Sequence, residues 1–344
     1  MQYEITGAIP LLDEKGNLTQ AGYAKRLLPV YDREKVKGGF ARLKEWDYYY
    51  VGNDRFGVAL TIADNSYMGL DSISFLSFGE KPWEVTKSPM RLFPMGKTGL
   101  PASSARGISK ISGKGYFLNF TVGDGKRHLT AHMADFKDGR PIDIDITLTA
   151  EPEESMVICT PFEKEGHFYY NQKINCMRAK GIVEVGGEVY TFEPGESFGV
   201  LDWGRGVWTY ENTWYWGSAS GLAGGVDVGF NIGYGFGDTS AATENMLFYA
   251  GKAHKLSKVK FNIPRKKDGK EDYLKPWTFT SDDGRFEMDF VPVLNRASCT
   301  DVKLIKSDQN QVFGRFSGTA VLDDGTRVEI RDLMGFAEKV TNKW

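Results

Sequence analysis

Along most of this chain, apolar and polar residues alternate in short runs separated by turn residues. That period of two is what a half-buried β-strand requires. Ile142-Asp-Ile-Asp-Ile-Thr-Leu-Thr is the clearest run, with Ile142, Ile144, Ile146 and Leu148 on one face. Phe117-Leu-Asn-Phe-Thr-Val is another, closed by Gly123-Asp-Gly-Lys. Gly181-Ile-Val-Glu-Val, Gly186-Gly187 and Glu188-Val-Tyr-Thr-Phe read as a hairpin with a two-glycine turn. Phe316 to Leu322, Asp323-Asp-Gly and Thr326 to Ile330 read as a second. Asp-Gly recurs at 124–125, 138–139, 268–269, 283–284 and 324–325, and each pair suits the positive φ of a tight turn. No helical period persists beyond two or three turns, and Glu163 to Arg178 is too aromatic and mixed to assign. Many strands at short, regular spacing predict an all-β fold, a sandwich or barrel with few short helices. At 344 residues two antiparallel β units are expected, 1–193 and 194–344, divided at the turn-like Glu193-Pro-Gly-Glu196.

Composition removes several function classes. Net charge is −2 with pI near 6.2, which argues against general nucleic-acid binding. Cys159, Cys176 and Cys299 form neither a disulfide framework nor a zinc motif. The four histidines are dispersed. His128 and His132 fall on one strand face some 13 Å apart, too far to share a metal. No metal and no cofactor are expected: a His-Glu-x-x-His motif, a nucleophile elbow, a P-loop and a dinucleotide fingerprint are all missing. The start Met1-Gln-Tyr-Glu-Ile-Thr-Gly is not signal-like, and no apolar run reaches the length of a spanning helix. The expectation is a cytoplasmic protein with a small-molecule partner.

One segment departs from the average. Residues 199–251 hold 12 Gly, 11 aromatics, five acids and a single base, a net −4 that leaves +2 for the remainder. Four of the eight tryptophans, Trp203, Trp208, Trp214 and Trp216, fall within 14 residues there. Alternation in Gly225 to Gly237 puts Val226, Val228, Phe230, Ile232 and Tyr234 on one face. Asp227, Gly229, Asn231 and Gly233 lie on the other, which leaves room for a ligand or another backbone. Thr243-Glu244-Asn245 follows. This pattern reads as a pocket walled by tryptophans, with Tyr210, Asp227, Asn231 and Asn245 as further ligand contacts. A carboxyl amid aromatics is poorly solvated, so its proton is available near neutral pH. Asp202 is the candidate general acid and Glu244 a second acid or base. Arg205 either sets the charge of the site or pairs with Asp202. The bland alternative is that the tryptophans pack a core and the glycines mark bulges. A second constellation is Leu43-Lys-Glu-Trp-Asp-Tyr-Tyr-Tyr50, in which Lys44, Trp46 and Tyr48 share one face and Glu45, Asp47 and Tyr49 the other. Either this is an amphipathic strand with one solvated face, or one face, bearing Lys44 and Trp46 or bearing Asp47, enters the same cavity.

Leu43-Lys-Glu-Trp-Asp-Tyr-Tyr, Leu201-Asp-Trp-Gly-Arg-Gly-Val-Trp, Trp214-Tyr-Trp and Thr243-Glu-Asn together resemble the bacterial family known only as domain of unknown function 2804. The resemblance runs from Ile9-Pro-Leu-Leu-Asp-Glu-Lys-Gly to Asn342-Lys-Trp344 and implies no reaction. More distantly, Gly199-Val-Leu-Asp-Trp-Gly-Arg-Gly is similar to a motif of the lipocalin-like two-barrel group that includes carotenoid 1,2-hydratases. In that group a motif Asp protonates an alkene, a role that by position falls on Asp202. Val200-Leu201 departs from the pattern, which has an aromatic just before the Asp. This likeness implies a double calycin-like or lipocalin-like β architecture.

Three functions compete. The first is a cofactor-independent enzyme that uses a buried carboxyl on an apolar or amphipathic small molecule, by hydration, isomerisation or cyclisation. The second is a carbohydrate-active enzyme, a glycosidase or lyase with paired carboxylates and Trp platforms. The third is a lipocalin-like binder without turnover.

Overall fold

The computed structural model describes residues 2–39, 41–302 and 305–343, so Trp344, where the family resemblance ends, lies outside them. A 3-10 turn, Arg33–Lys35, is the only helical element among the described residues. The rest is antiparallel strand in two large sheets, one of 14 strands and one of nine, apart from a small parallel pair near the start. The expected all-β fold of two antiparallel units is therefore what the chain adopts.

The predicted turns form where the chemistry places them. Val185 pairs with Glu188 across Gly186 and Gly187, whose φ values of +62° and +88° suit a tight hairpin turn. Asp124–Gly125 and Asp138–Gly139 close two more hairpins in the same left-handed region. Ile142, Ile144, Ile146 and Leu148 all lie in the first core. Glu163 to Arg178, unassigned from sequence, is mostly the start of the long strand Phe168–Val185.

The middle of the first sheet runs Phe56–Asp64, Leu43–Gly52, Phe198–Val207, Phe168–Val185. Its far strands curl back across this middle: Arg127 Nη1 donates to Tyr49 Oη at 3.2 Å, and Tyr116 Oη donates to Asp71 at 2.9 Å. The second sheet is centred on Val226–Tyr234, Glu211–Ala223, Arg327–Lys343 and Ile305–Val321. It wraps a core of Phe230, Phe261, Phe279, Phe286, Phe290, Phe316 and Trp277. The chain leaves the first sheet at Val207 and enters the second at Glu211. The strand Phe198–Val207, which follows the expected division at 193–196, pairs entirely within the first sheet.

The two sheets pack face to face, so the middle strands have no solvent side. All ten residues of Phe198–Val207 are buried, and Glu45 and Asp47 are only 2% and 6% exposed. The solvated face considered for residues 43–50 does not exist. Strict alternation instead divides each strand between two interiors. Glu45, Asp47, Tyr49, Leu201, Trp203, Arg205, Tyr170 and Gln172 point into the first sheet's own core, as the cross-strand register requires. Lys44, Trp46, Tyr48, Asp202, Asn171 and Lys173 point toward the second sheet.

A bulge locks the sheets together. The register of Phe168–Val185 slips between Ile174 and Met177, and Cys176 there has φ +62°. The slip drives Asn175 into the facing sheet, where its amide reaches Ser218 Oγ at 2.8 Å, Phe230 O at 3.1 Å and Ala219 O at 3.2 Å. Cys176 N donates to Ser220 Oγ at 3.0 Å. Asn175→Ala is expected to lower unfolding stability by roughly 1–3 kcal/mol, because a buried donor group and its acceptors lose one another. Urea unfolding measures this, and a change within a few tenths of a kcal/mol would mean the sheets dock without it.

Candidate active site

Two rows of side chains face each other across the layer between the sheets. On the first sheet the register aligns Lys173, Asp202, Tyr48, Thr61 and Ser72 on adjacent strands. On the second it aligns Gly233, Trp216, Glu338, Gln311 and Arg296. Glu244 stands over Gly233: a Cβ there would lie 2.6 Å from Glu244 Oε1, so only glycine leaves room for that carboxyl. The rows touch. Lys173 Nζ sits 3.9 Å from the Trp216 ring centre, and Tyr48 packs edge-on against Trp216 at 5.8 Å.

Asp202 is fixed through one oxygen. Its Oδ1 accepts from Asn171 Nδ2 at 2.6 Å, from Lys173 Nζ at 3.0 Å and from Trp46 Nε1 at 3.1 Å. Gly204 makes the tryptophan contact feasible, since a Cβ at that position would fall 1.9 Å from Trp46 Cζ2. Oδ2 has no hydrogen-bond partner among the described residues. Asn171 Oδ1 and Gln311 Oε1, both buried, are equally without one. Polar atoms buried in this way are uncommon and point to a site that meets a further polar group.

The other two carboxyls are in a different state. Glu338 accepts from Trp214 Nε1 at 2.8 Å and Gln311 Nε2 at 3.0 Å. Burial pushes its carboxyl from the usual 4.5 up to about 7, against the pull of Trp214, Arg296 and Lys173, and nearby Asp202 adds to the rise. Burial also raises Glu244; Lys173 opposes that shift and Asp202 reinforces it. The Glu244 segment is held from behind. Asn231 Nδ2 donates to Glu244 O at 2.7 Å, and Lys255 Nζ donates to Thr243 Oγ1 and Asn245 O, each at 2.8 Å. Asn245 Oδ1 accepts from Gly233 N at 2.7 Å.

Aromatic groups close the layer on both sides. Trp208 packs edge-on against Trp46 and Trp214 at 5.2 and 5.7 Å, and Phe236 fills the space between Trp208, Trp214 and Tyr169. Tyr50, Phe313 and Phe336 form the other wall. Asp202, Glu244 and Glu338 each keep 8% exposure, whereas core residues such as Phe230 and Phe316 keep none. The strip is thus slightly less enclosed than the two cores. A cleft of about 200 Å³ opens farther along the layer, beside Tyr50, Phe198, Val200 and Ser218.

Of the residues singled out from sequence, the fold brings together Asp202, Glu244, Trp46, Trp208, Trp214, Trp216, Asn231 and Asn245. It does not bring the others there. Trp203, Arg205 and Asp47 alternate into the first sheet's core. There Arg205 Nη1 pairs with Asp47 Oδ1 at 3.1 Å, and Nη2 donates to Pro101 O at 2.7 Å. Arg205 therefore does not pair with Asp202; Lys173 does. Lys44, on the layer face but nearer the strand end, donates to Asn65 O at 3.2 Å and lies over the Tyr67 ring. Burial lowers its pKa to about 7. Asp227 forms an ion pair with Arg178 at the sheet edge, and Tyr210 is 41% exposed on the crossover between the sheets.

Lys173, Glu338, Asn171, Gln311 and Arg296 escape the sequence reading. A signal exists for three of them. Asn171, Lys173 and Asn175 alternate through an otherwise aromatic run, and Glu338 shares strand parity with Met334 and Phe336 on an apolar face.

The sequence profile of one family matches residues 2–344, nearly the whole chain. The chain belongs to the family described as domain of unknown function (DUF2804). No curated protein matches this DUF2804 chain by sequence. Among solved structures, kievitone hydratase from Nectria haematococca is similar at 12% identity and TM-score 0.46, covering 96% of this chain and 98% of that one. A putative AttH from Nitrosomonas europaea gives 12% and 0.49, covering 87% and 92%. CghA with Sch210972 gives 12% and 0.44, covering 88% of each chain. Likenesses this remote leave the reaction to be argued from the residues themselves.

The Glu338 shift carries a stability signature. The folded carboxyl holds its proton up to about pH 7 and the unfolded one only to about 4.5, so folding stability falls as pH rises through that window. The loss amounts to roughly 3 kcal/mol at most. Glu338→Gln is expected to remove most of this slope and to be the more stable form at alkaline pH, with Gln311 turning its free oxygen to the new amide. Urea midpoints at acid and alkaline pH measure it. An identical slope in the variant would place the proton elsewhere.

Proposed function

We propose that this chain is a cofactor-independent acid–base enzyme acting on an apolar or amphipathic small molecule bound between the two sheets. The observation that carries this reading is the pairing of unlike carboxyls in one enclosed strip. Asp202 is tied through Oδ1 to an ammonium and two N–H donors, which leaves Oδ2 free to accept a proton. Glu338 and Glu244 are driven toward the neutral acid by burial. One group can give a proton and another can take one near neutral pH without a metal or cofactor.

In an isomerisation, the Glu338 or Glu244 carboxyl delivers its proton to one carbon of a C=C bond, which leaves positive charge on the other. Asp202 Oδ2 removes a proton from the next carbon beyond that charged one, the double bond shifts by one position, and the proton returns to the glutamate before the next turnover, with no net change in atoms. In a hydration, water adds to the protonated carbon skeleton and Asp202 Oδ2 takes the proton that the water loses. Positive charge developing on the substrate is stabilised by the aromatic walls.

The glycoside reading has less support. A sugar platform needs an open ring face, but Lys173 covers Trp216 and Tyr169 stacks on Trp46 with an interplanar angle of 9°. A lipocalin-like binder holds its ligand inside a barrel. Here the first sheet's interior holds Leu100 and the buried Arg205–Asp47 pair capped by Pro101, and the second is filled by phenylalanines, so a ligand of either reading belongs between the sheets.

Proton transfer to and from carbon is directly testable. The protein is incubated in heavy water with a panel of alkenes and enones, and deuterium uptake into carbon is followed by mass spectrometry. Exchange or product is expected for at least one compound, with Asp202→Asn slower by about 100-fold or more. Turnover undiminished in that variant would overturn the role of Asp202, and a correctly folded protein with no uptake across the panel would favour the binder.

A further inference from the structure

Arg296 ends the second sheet's row and is not needed for the proton chemistry above. It lies on Phe286–Val302, directly opposite Gln311, which in turn lies opposite Glu338. Its guanidinium crosses the layer, and Nη1 donates to Ser74 Oγ on the first sheet at 2.8 Å. That neutral hydroxyl is its only hydrogen-bond partner among the described residues, and no carboxylate there comes within ion-pairing distance of it. Its charge acts on Glu338, Tyr48 and Tyr50, which sets the half-buried guanidinium beside the strip.

Charge balance makes this position unusual. Asp202 is matched by Lys173. Glu244 and Glu338 are both held toward their neutral forms by burial. Arg296, in the same row, is a formal charge with no ion-pair partner among the described residues. A half-buried guanidinium has lost part of its hydration, and its planar fork of donors fits a carboxylate through two parallel hydrogen bonds. Two strand spacings separate Arg296 from Glu338, about 10 Å.

We infer that Arg296 recognises an anionic end of the substrate, so that the substrate class is an elongated organic carboxylate whose reacting carbon lies about 10 Å from its charged group. The inference rests on the strip being the substrate site. The carboxylate seats on the Arg296 fork beside Ser74. The apolar body runs over Gln311 and between the aromatic walls, and the reacting carbon reaches Glu338 and Asp202.

The test reads binding, not turnover. The full-length protein is titrated with 9-decenoate and with its neutral methyl ester, by calorimetry and by quenching of the tryptophans that line the layer. The wild type is expected to bind the carboxylate at least about tenfold more tightly than the ester, a difference of about 1.4 kcal/mol. Arg296→Gln is expected to abolish that preference while holding the ester affinity within about twofold, and Arg296→Lys to keep part of it. Equal affinities in the wild type, a preference that survives in Arg296→Gln, or no carboxylate binding at all would each overturn the inference. The two readings fail separately. An Arg296-dependent preference with no deuterium uptake from any alkene removes the enzyme reading and leaves this one. Uptake into neutral alkenes with no Arg296 dependence does the reverse.

Discussion

Lys173 carries its ammonium into a layer that is otherwise aromatic, 3.0 Å from Asp202 Oδ1 and 3.9 Å from the Trp216 ring centre. A buried cation is tolerated only when it is paired and hydrogen-bonded. Asp202 supplies the pairing, and the indole face supplies a further favourable contact. Glu338 has no ion-pair partner among the described residues, and burial shifts it toward the neutral acid against the pull of Trp214, Arg296 and Lys173.

The lysine can be there because the middle strands of the first sheet are buried on both faces. One face builds an ionic network inside that sheet, where Arg205, Asp47, Glu45 and Arg33 pair around the Pro101 carbonyl. The other face, offset by one residue, builds the inter-sheet strip. Trp203 and Asp202 are neighbours in sequence yet serve separate interiors. The bulge at Asn175 and Cys176 fixes how the two sheets meet, only two residues from Lys173, so the docking interaction and the site are mechanically one feature.

Much of this was legible in the sequence. Ile142 to Leu148 and the Gly186-Gly187 turn carry local signals strong enough to fix strand, face and hairpin, whereas the glycine-and-polar face of Val226–Tyr234 makes room for a side chain: a Cβ at Gly229 would lie 2.7 Å from Cys176 Sγ. The tryptophan and acid surplus in 199–251 correctly marked Asp202, Trp214, Trp216 and Glu244 as neighbours in space. What proximity along the chain could not show is which face of a doubly buried strand looks where. Arg205 lies three residues from Asp202 and therefore on the opposite face, while Lys173 and Glu338 come from strands far away in sequence. Gln311 and Arg296 carried no local signal; their alignment with Glu338 exists only through cross-strand register.

Burial in the strip between the sheets holds the protons of Glu338 and Glu244 beyond the ordinary glutamate range. Carbon-13 NMR of protein labelled at the Glu and Asp carboxyls, titrated from about pH 5 to about pH 8, tests this directly, with Glu338→Gln, Glu244→Gln and Asp202→Asn assigning the signals. Glu338 is expected to titrate near neutrality and Glu244 above the ordinary glutamate range. Both glutamates ionised across the whole range would contradict this.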